Sequence, residues 1–397
     1  MNDWERAQAL RGELLENRRY LHEHAEVGLE LPRTVAYIGE KLKGYGLAPQ
    51  PCGGGLTATV GQGERLLLLR ADMDALPMAE ESGLPFACPT GRQAHGCGHD
   101  LHAAMLLAAA KLLKEDEAAL KGRVKLVFQP AEESFEGAKD MVAHGLLAEQ
   151  PDAALAFHVS PGRLPVGTYL FNDTPDAAMM LSMDQFRVTV RGRGTHGAYP
   201  HAGVDPINIG VHIYLALQEL IARECDPLKP SVLTVGSFQA GEAPNIIPDT
   251  ATLTGTIRTG DSAVRQLLTR RVSEVAQGVA ATYGGSAEVR LAGVPPLICD
   301  AALVRELSGY MQELPIPGLT PRSGISSSAS EDFAVIAAAV PSAYFYLSAG
   351  FADERGDAPA HNPRVQFNED VLPIGAACMT HCARRWLESA DAPPTAE

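Results

Sequence analysis

A cysteine and a histidine stand two residues apart in this sequence, and two adjacent glutamates follow later in the chain. Cys97 and His99 lie in a glycine-rich segment, while Glu132 and Glu133 end the stretch Gln-Pro-Ala-Glu-Glu. A thiolate, an imidazole and carboxylates are the ligands of zinc- or manganese-type catalytic sites. One glutamate could bind a metal while its neighbour transfers a proton. Hydrolysis is therefore the first chemistry that these residues predict.

Polar residues that could bind metal directly follow predicted strands, and Cys97 and His99 come just before a predicted helix. The strands and the residues that follow them are 65–71 with Asp72 and Asp74, 124–128 with Glu132 and Glu133, and 153–157 with His158. Ligands of open α/β sheets gather at the carboxyl ends of the strands, so we expect these groups to converge. Each has an ordinary structural interpretation when taken alone, such as a buried cysteine, a helix cap or acids favoured by a helix dipole. Their joint placement favours a metal site. His22 and His24, by contrast, read as a solvated helix end.

The elements that must position these residues alternate between helix and strand. The sequence predicts helices at 4–22, 100–118 and 136–145, a hairpin of strands 56–60 and 65–71, and strands at 124–128 and 153–157. The run of four leucines that begins at Leu66 is typical of a strand buried on both faces. Such alternation indicates a mostly parallel sheet covered on both sides.

The pattern changes near residue 183 and changes back after two prolines at 295 and 296. The middle region predicts strands at 183–191, 231–238, 249–258 and 286–291 and helices at 205–223 and 261–283. The order β-α-β-β-α-β is that of a ferredoxin-like unit. Beyond it we expect helices at 300–313 and 330–339 and a strand at 342–347. The predicted fold class is therefore α/β, with a mostly parallel-sheet catalytic domain of residues 1–182 and 294–397 and an inserted ferredoxin-like domain of residues 183–293.

Composition excludes several classes of partner. A net charge of −15 over 397 residues repels phosphate backbones and anionic membranes, so we expect no nucleic acid and no membrane partner. No apolar run reaches the roughly 18 residues of a membrane-spanning helix, and the polar N-terminus does not read as a signal peptide. Seven scattered cysteines indicate free thiols and a cytoplasmic protein. A polar tail follows Glu388.

Seven segments of the chain, in order, resemble the aminoacylase/carboxypeptidase metallopeptidase superfamily. They are residues 70–77, 95–100, 129–133, 194–201, 245–249, 330–333 and 361–363. The combination of Cys-Gly-His-Asp at 97–100 with Gln-Pro-Ala-Glu-Glu at 129–133 is specific, whereas any single short motif is not. The likeness is greatest to the hippurate hydrolase and auxin-conjugate amidohydrolase branch.

The resemblance implies a role for each matching residue. Cys97, His99, Glu133, His158 and His361 would be ligands of two divalent metal ions, with manganese or zinc favoured and cobalt or nickel as alternatives. Glu132 would be the general base, and Asp74 a carboxylate just behind the ligands. The inserted domain would be a lid that also forms a homodimer or homotetramer, and would supply His196 as oxyanion stabiliser, in its own or in the partner subunit's site. Asn245 and Arg258 would hold the carboxylate of a small N-acyl amino acid.

The sequence departs from this branch at Leu101, where a glycine is usual, and at Ala25, where a proline is usual. These departures concern the acyl group rather than the metal ligands. We expect a metal-dependent amidohydrolase that deacylates N-acyl amino acids. The alternatives are a dipeptidase or carboxypeptidase of the same superfamily, an amidase with Cys97 as nucleophile and His99 as base, and a metal-loaded binding protein without catalysis.

Overall fold

The computed structural model describes residues 1–389. The polar tail expected after Glu388 lies outside the described residues from residue 390 on. The helices are α1 (Asp3–Ala9), α2 (Arg11–Glu23), α3 (Pro32–Gly44), α4 (His99–Glu115), α5 (Gly137–Ala143), α6 (Pro206–Glu219), α7 (Ser262–Thr282), α8 (Ala301–Glu313), α9 (Ala334–Ala337) and α10 (Val371–Glu388). The strands up to residue 180 are β1 (Gln50–Cys52), β2 (Gly55–Gly61), β3 (Leu66–Asp72), β4 (Arg123–Gln129), β5 (Ala153–Ser160), β6 (Thr168–Leu170) and β7 (Ala178–Met180). The remaining strands are β8 (Met183–Arg191), β9 (Thr195–His196), β10 (Ser231–Ala240), β11 (Ile246–Ile247), β12 (Thr250–Thr259), β13 (Ser286–Val294), β14 (Leu297–Ile298), β15 (Thr320–Arg322) and β16 (Ser342–Ser348).

The chain divides into two compact units. The first contains Met1–Asp176, Ile298–Ile325 and the described residues from Val335 on, and the second contains Ala177–Leu297 and Ser326–Ala334. No helix in residues 1–389 is both long and apolar enough to cross a membrane.

The first unit is built on an eight-stranded sheet with the strand order β1-β2-β4-β3-β5-β16-β6-β15. The neighbouring pairs β4-β3, β3-β5 and β5-β16 are parallel, which confirms the predicted mostly parallel sheet. Every residue of β3 and all but the last residue of β5 are buried, so both faces of the central sheet are covered. Helix α4 packs on β3 and β5, and α10 packs on α4. The carboxyl ends of the parallel strands meet at one edge of the sheet, where ligands of such folds collect.

Three local predictions for the first unit are wrong. Strands β2 and β3 do not form a hairpin, because β4 lies between them, antiparallel to β2 and parallel to β3. The leucine-rich β3 gains burial on both faces by taking this central position. The N-terminal helix is two helices that meet at Leu10, whose backbone, with φ of −87° and ψ of 6°, departs from helical values. The helix expected at 330–339 is only Ala334–Ala337.

The second unit is an antiparallel sheet with two helices on one face. Its strand order is β10-β12-β8-β13, and its elements follow the predicted order β-α-β-β-α-β. Side chains of Phe186 and Leu253 from the sheet pack with Ile213 of α6 and Leu268 of α7 in a common core. The alternate residues of each strand therefore form a face of the sheet that looks away from the helices. A two-residue ladder between β9 and β11 was not predicted.

Candidate metal centre

A glycine sets the geometry at the start of α4, between the two candidate ligands Cys97 and His99. Gly98 has φ of 91°, in the left-handed region that side chains disfavour. A Cβ at this position would lie 2.5 Å from Val159 Cγ2 and 3.1 Å from the ring of Phe367. Only glycine fits this turn, and the turn brings both ligands to the same edge of the sheet.

The imidazole of His99 is held by a hydrogen bond at Nδ1, whereas its Nε2 faces the cluster. Its Nδ1 donates a hydrogen bond to the carbonyl of Asp74 at 2.9 Å. Its Nε2 is buried without a hydrogen-bond partner among the described residues, 3.7 Å from Asp72 Oδ2 and 3.9 Å from Glu133 Oε1. Burial alone would lower the pKa of His99, but the charges of Asp72 and Cys97 raise it well above its usual value. A cation facing Nε2, either a proton or a metal ion, is what these carboxylates favour.

Cys97 and His158 form the second part of the cluster. The Sγ of Cys97 lies 3.4 Å from His158 Nε2, and His158 Nδ1 donates to the carbonyl of Val159 at 2.6 Å. The neutral ring therefore presents the lone pair of Nε2 towards the thiol. Burial raises the pKa of the Cys97 thiol to about 12 and lowers the pKa of His158 well below its usual value. A buried divalent ion would stabilise the thiolate and the neutral imidazole together.

Glu133 and His361 complete the group. The Oε1 atom of Glu133 is buried without a hydrogen-bond partner in residues 1–389, and His361 Nε2 lies 3.4 Å from it. The loop that carries His361 is fixed by a bond from its N–H to the carbonyl of Gly96 at 2.9 Å. Cys97, His99 and Glu133 each offer a ligand atom within 4.8 Å of the others. The structure thus places the five candidate ligands in a run of neighbouring contacts, from His158 through Cys97, His99 and Glu133 to His361.

Asp74 supports this cluster from behind. Its Oδ1 accepts the N–H of Glu132 at 3.0 Å, and its Oδ2 accepts the N–H of Glu133 at 3.2 Å. The side chain of Glu132 is buried, and its Oε2 lies 4.0 Å from His99 Nε2. One carboxylate therefore orients the backbone of both adjacent glutamates.

A buried pair lies beside the cluster: Asp72, one of the candidates after strand 65–71, and His102, which was not among the candidates. Asp72 Oδ1 accepts a hydrogen bond from His102 Nδ1 at 2.5 Å, and His102 Nε2 accepts the N–H of Val159 at 2.7 Å. Arg70 Nη1 donates to Asp72 Oδ2 at 2.8 Å. Burial would raise the pKa of Asp72, but Arg70 and the histidines hold it well below its usual value. Asp72, His99, His102 and His158 form a second group of possible ligands, although both nitrogens of His102 are already engaged. The three-residue spacing of His99 and His102 on one helix face was the signal that could have found it.

His22, expected at a solvated helix end, is buried instead. Its Nδ1 lies 2.8 Å from Asp100 Oδ2 and its Nε2 lies 2.9 Å from Glu80 Oε1. The Nε of Arg18 donates to the same Asp100 oxygen at 2.8 Å. Burial would lower the pKa of His22, but Asp100 and Glu80 raise it above its usual value. Helix α2 therefore anchors the first turn of α4 through the residue next to His99.

Three further candidates belong to the second unit. His196 pairs with Ile246 in the β9-β11 ladder, and the N–H of Gly197 bonds to the carbonyl of Asn245 at 2.8 Å. The N–H of Ala198 donates to His196 Nδ1 at 3.1 Å, so the neutral ring carries its proton on Nε2. Arg258 on β12 donates from Nη1 to the carbonyl of Ser328 at 3.3 Å and to Ser330 Oγ at 3.0 Å.

The donor set and the buried, unpartnered atoms of His99 and Glu133 fit divalent metal ions. Thiolate, imidazole and carboxylate are the mixture that first-row metals of intermediate softness bind. An unpaired buried carboxylate oxygen beside an unpaired imidazole nitrogen is costly, and a shared cation removes that cost.

Comparisons with known proteins agree with this chemistry. The model of the family "Peptidase family M20/M25/M40" matches residues 68–385. The chain is 35% identical to an N-acetyl-L-cysteine deacetylase of Bacillus subtilis over 385 residues, covering 96% of this chain and 89% of the relative. It is 36% identical to the IAA-amino acid hydrolase ILR1-like 2 of Arabidopsis thaliana over 392 residues, covering 94% and 84% of the two chains.

A solved structure shares the fold. The YXEP protein of Bacillus subtilis, described as a dinuclear metal binding peptidase from the M20 family, superposes with a TM-score of 0.78 at 29% identity, covering 96% of this chain and 99% of that one. The family match spans most of the chain and includes every candidate ligand. We conclude that this chain belongs to the peptidase family M20/M25/M40 and is a metal-dependent amidohydrolase.

Proposed function

We propose that this protein removes the acyl group from N-acyl amino acids at a site that holds two divalent metal ions. The observation that carries the proposal is the cluster of Cys97, His99 and Glu133, in which buried nitrogen and oxygen atoms face one another without a hydrogen-bond partner among residues 1–389. Relatives named for N-acetyl-L-cysteine and for IAA-amino acids support this substrate class, since both are amino acids acylated on nitrogen.

In this proposal the metal ligands are Cys97, His99, Glu133, His158 and His361. Manganese or zinc suits the mixed sulfur, nitrogen and oxygen donors best, with cobalt or nickel as alternatives. Ions bound there would polarise the amide carbonyl and lower the pKa of a bound water. The protein's part is to keep the ligands oriented, which Asp74 does for Glu133 and the Val159 carbonyl does for His158.

Glu132 is the proposed general base. It takes the proton of the attacking water and passes it to the nitrogen of the leaving amino acid. The hydrogen bond of its N–H to Asp74 fixes its backbone. A pure binding protein would need no such base, so the pairing of Glu132 with Glu133 supports catalysis.

The second unit supplies the proposed substrate contacts. His196 is exposed, and its neutral ring carries the proton on Nε2. It can therefore donate a hydrogen bond to the amide oxygen, where oxyanion charge develops. Asn245 and Arg258 are proposed to hold the substrate carboxylate, for which the planar guanidinium of arginine offers two parallel hydrogen bonds.

A thiol amidase is disfavoured by the geometry. The Sγ of Cys97 is nearest to Nε2 of His158 at 3.4 Å, and burial raises the pKa of this thiol to about 12. A nucleophilic cysteine needs a lowered pKa instead. A dipeptidase or carboxypeptidase is the second candidate. Its substrates also contain a scissile amide, and they differ from N-acyl amino acids only in the group attached to the amide nitrogen or carbonyl.

We further propose a homodimer or homotetramer in the cytoplasm. Strand β10 is an edge of its sheet, and the adjoining helix α6 exposes Val211, Tyr214 and Leu215 at 43, 41 and 56%. An open edge beside exposed apolar side chains is suited to pairing with a second copy. All seven cysteines are free, as in a reducing compartment.

The test is a hydrolysis screen with the purified protein loaded with manganese, zinc, cobalt or nickel in turn. N-acetyl and N-benzoyl amino acids are compared with dipeptides of the same residues by measuring the release of free amino acid. We expect the acylated substrates to be cleaved faster. Cleavage of dipeptides alone would replace deacylation with dipeptidase activity.

A further inference from the structure

The sheet face of the second unit that looks away from α6 and α7 carries an unusual pair of charges. Arg187 on β8 and Arg290 on β13 are directly opposite in the antiparallel register. Like charges in this position repel each other and destabilise the pair. In residues 1–389, Arg187 has no ion pair or side-chain hydrogen bond, and Arg290 reaches only Glu288 on its own strand, at 2.9 Å. One carboxylate against two facing arginines leaves the positive charge of Arg187 without a partner among the described residues, which points to an anion that the two arginines share.

The same face forms a cavity of about 520 Å³ around these arginines. Thr254 lies on the other side of Arg187, so one row across the sheet reads Arg290, Arg187 and Thr254. The next row that faces the same way contains Gln185, Thr256 and Thr234. All described residues that line the cavity are neutral or basic, in a chain whose net charge is −15.

The two rows define the ligand. An arginine binds a carboxylate through two parallel charge-assisted hydrogen bonds. The hydroxyls and the amide of the second row can donate hydrogen bonds to a second carboxylate. Rows that face the same way are separated by two residues, roughly 7 Å along the strand. A dicarboxylate of about five carbons spans that separation. Nucleic acid does not suit the site, because the acidic chain as a whole repels a polyanion.

We propose that this sheet face is a binding site for a small dicarboxylate, held by Arg187 and Arg290 at one end and by the threonine and glutamine row at the other. The site lies outside the metal ligands and does not depend on which amide the enzyme cleaves. Arg258 is on the same face, opposite Val232, and marks the neighbouring row.

Glutarate binding is measured by isothermal titration calorimetry on the full chain at low ionic strength. The double variant Arg187→Gln/Arg290→Gln should weaken glutarate binding at least about tenfold, since it removes both charged donors. The matched control is Arg191→Gln, on the same strand, whose side chain lies 3.7 Å from Glu288 and outside the cavity lining. Butyrate, with one carboxylate, and the neutral diamide of glutarate should bind more weakly than glutarate.

Thermal unfolding without ligand shows that the double variant is folded, and its midpoint should equal or exceed that of the wild type because the repulsion is gone. Glutarate binding that is equal in the wild type and the double variant would overturn the proposal and place the ion at the metal centre. Glutarate binding lost only in Arg258→Gln would overturn it in favour of the substrate site. Self-association lost in the double variant, with glutarate binding unchanged, would overturn it in favour of an acidic surface of a second copy.

Discussion

Asp74 accepts the backbone N–H of Glu132 at 3.0 Å, so the carboxylate that orients the candidate base also orients the candidate ligand beside it. The two glutamates share one anchor, and we propose a different task for each side chain. Substitutions at the two positions should therefore have separable effects, which a common structural role would not give.

The first prediction separates these tasks. Glu132→Gln should retain metal and lose at least about a hundredfold in kcat, because the amide cannot accept a proton. Glu133→Gln, the matched variant, should weaken metal binding because a neutral amide is a poorer ligand. Metal content after gel filtration and kcat on an N-acetyl amino acid measure both effects. Equal metal loss in the two variants would contradict the assignment.

The second prediction concerns the buried pair of His102 and Asp72. His102→Ala removes the donor to Asp72 and the acceptor of the Val159 N–H. We expect metal affinity to fall about 10–100-fold, the effect of losing a group that orients ligands. Chelator competition measures it, with the exposed His144→Ala as control. Unchanged affinity in His102→Ala would show that Asp72 needs no such support.

The third prediction concerns His196. His196→Ala should lower kcat by about a hundredfold or more, the effect of losing one oxyanion donor, with metal content and thermal midpoint unchanged. A histidine with a purely structural role would lower the midpoint instead. Mixing His196→Ala chains with Glu132→Gln chains tests action across a dimer, since a hybrid can restore one complete site. No recovery despite proven subunit exchange would place His196 on its own chain's site.

The fourth prediction is a pH dependence far from the metal ligands. Asp3 is buried and contacts His381 at 2.9 Å and Arg384. Burial would raise the pKa of Asp3, but His381 and Arg384 together lower it. A lowered folded-state pKa gives stability that is present above the unfolded pKa of about 3.9 and is lost as the pH falls through the folded value.

Asp3→Asn should therefore lower the free energy of unfolding at pH 7 by about 2 kcal/mol, the scale of a hydrogen bond to a charged group. The difference from wild type should shrink below about pH 4. Urea unfolding across this range measures it. Asp370→Asn, which removes an exposed ion pair with Arg11, should cost less than about 1 kcal/mol at any pH. If the difference in free energy of unfolding between Asp3→Asn and the wild type does not change with pH, the loss of stability comes from packing and not from the charge of Asp3.

The sequence was most informative where chemistry and a single element coincide. The five candidate ligands were predicted because each follows a strand, opens a helix or matches a motif, and the structure links them through neighbouring contacts. The pairing of Asp72 with His102 was missed because it depends on how β3, α4 and β5 lie side by side. The spacing of His99 and His102 could only have placed both rings on one helix face. The prediction of a hairpin of β2 and β3 was wrong for the same reason, because strand order is decided by which strand gains most from burial on both faces.

That strand order also sets when the metal centre can assemble. Strand β4, which leads to Glu132 and Glu133, must enter between two strands that are neighbours in sequence, and His361 comes near the end of the chain. Contacts between residues so distant in sequence form slowly, because the connecting chain loses much entropy on closing. We expect metal to bind only in the last stage of refolding. Added manganese should then stabilise the refolded product without speeding the early appearance of helix and sheet signals, whereas acceleration of that early phase would show that the ligands meet before the sheet is complete.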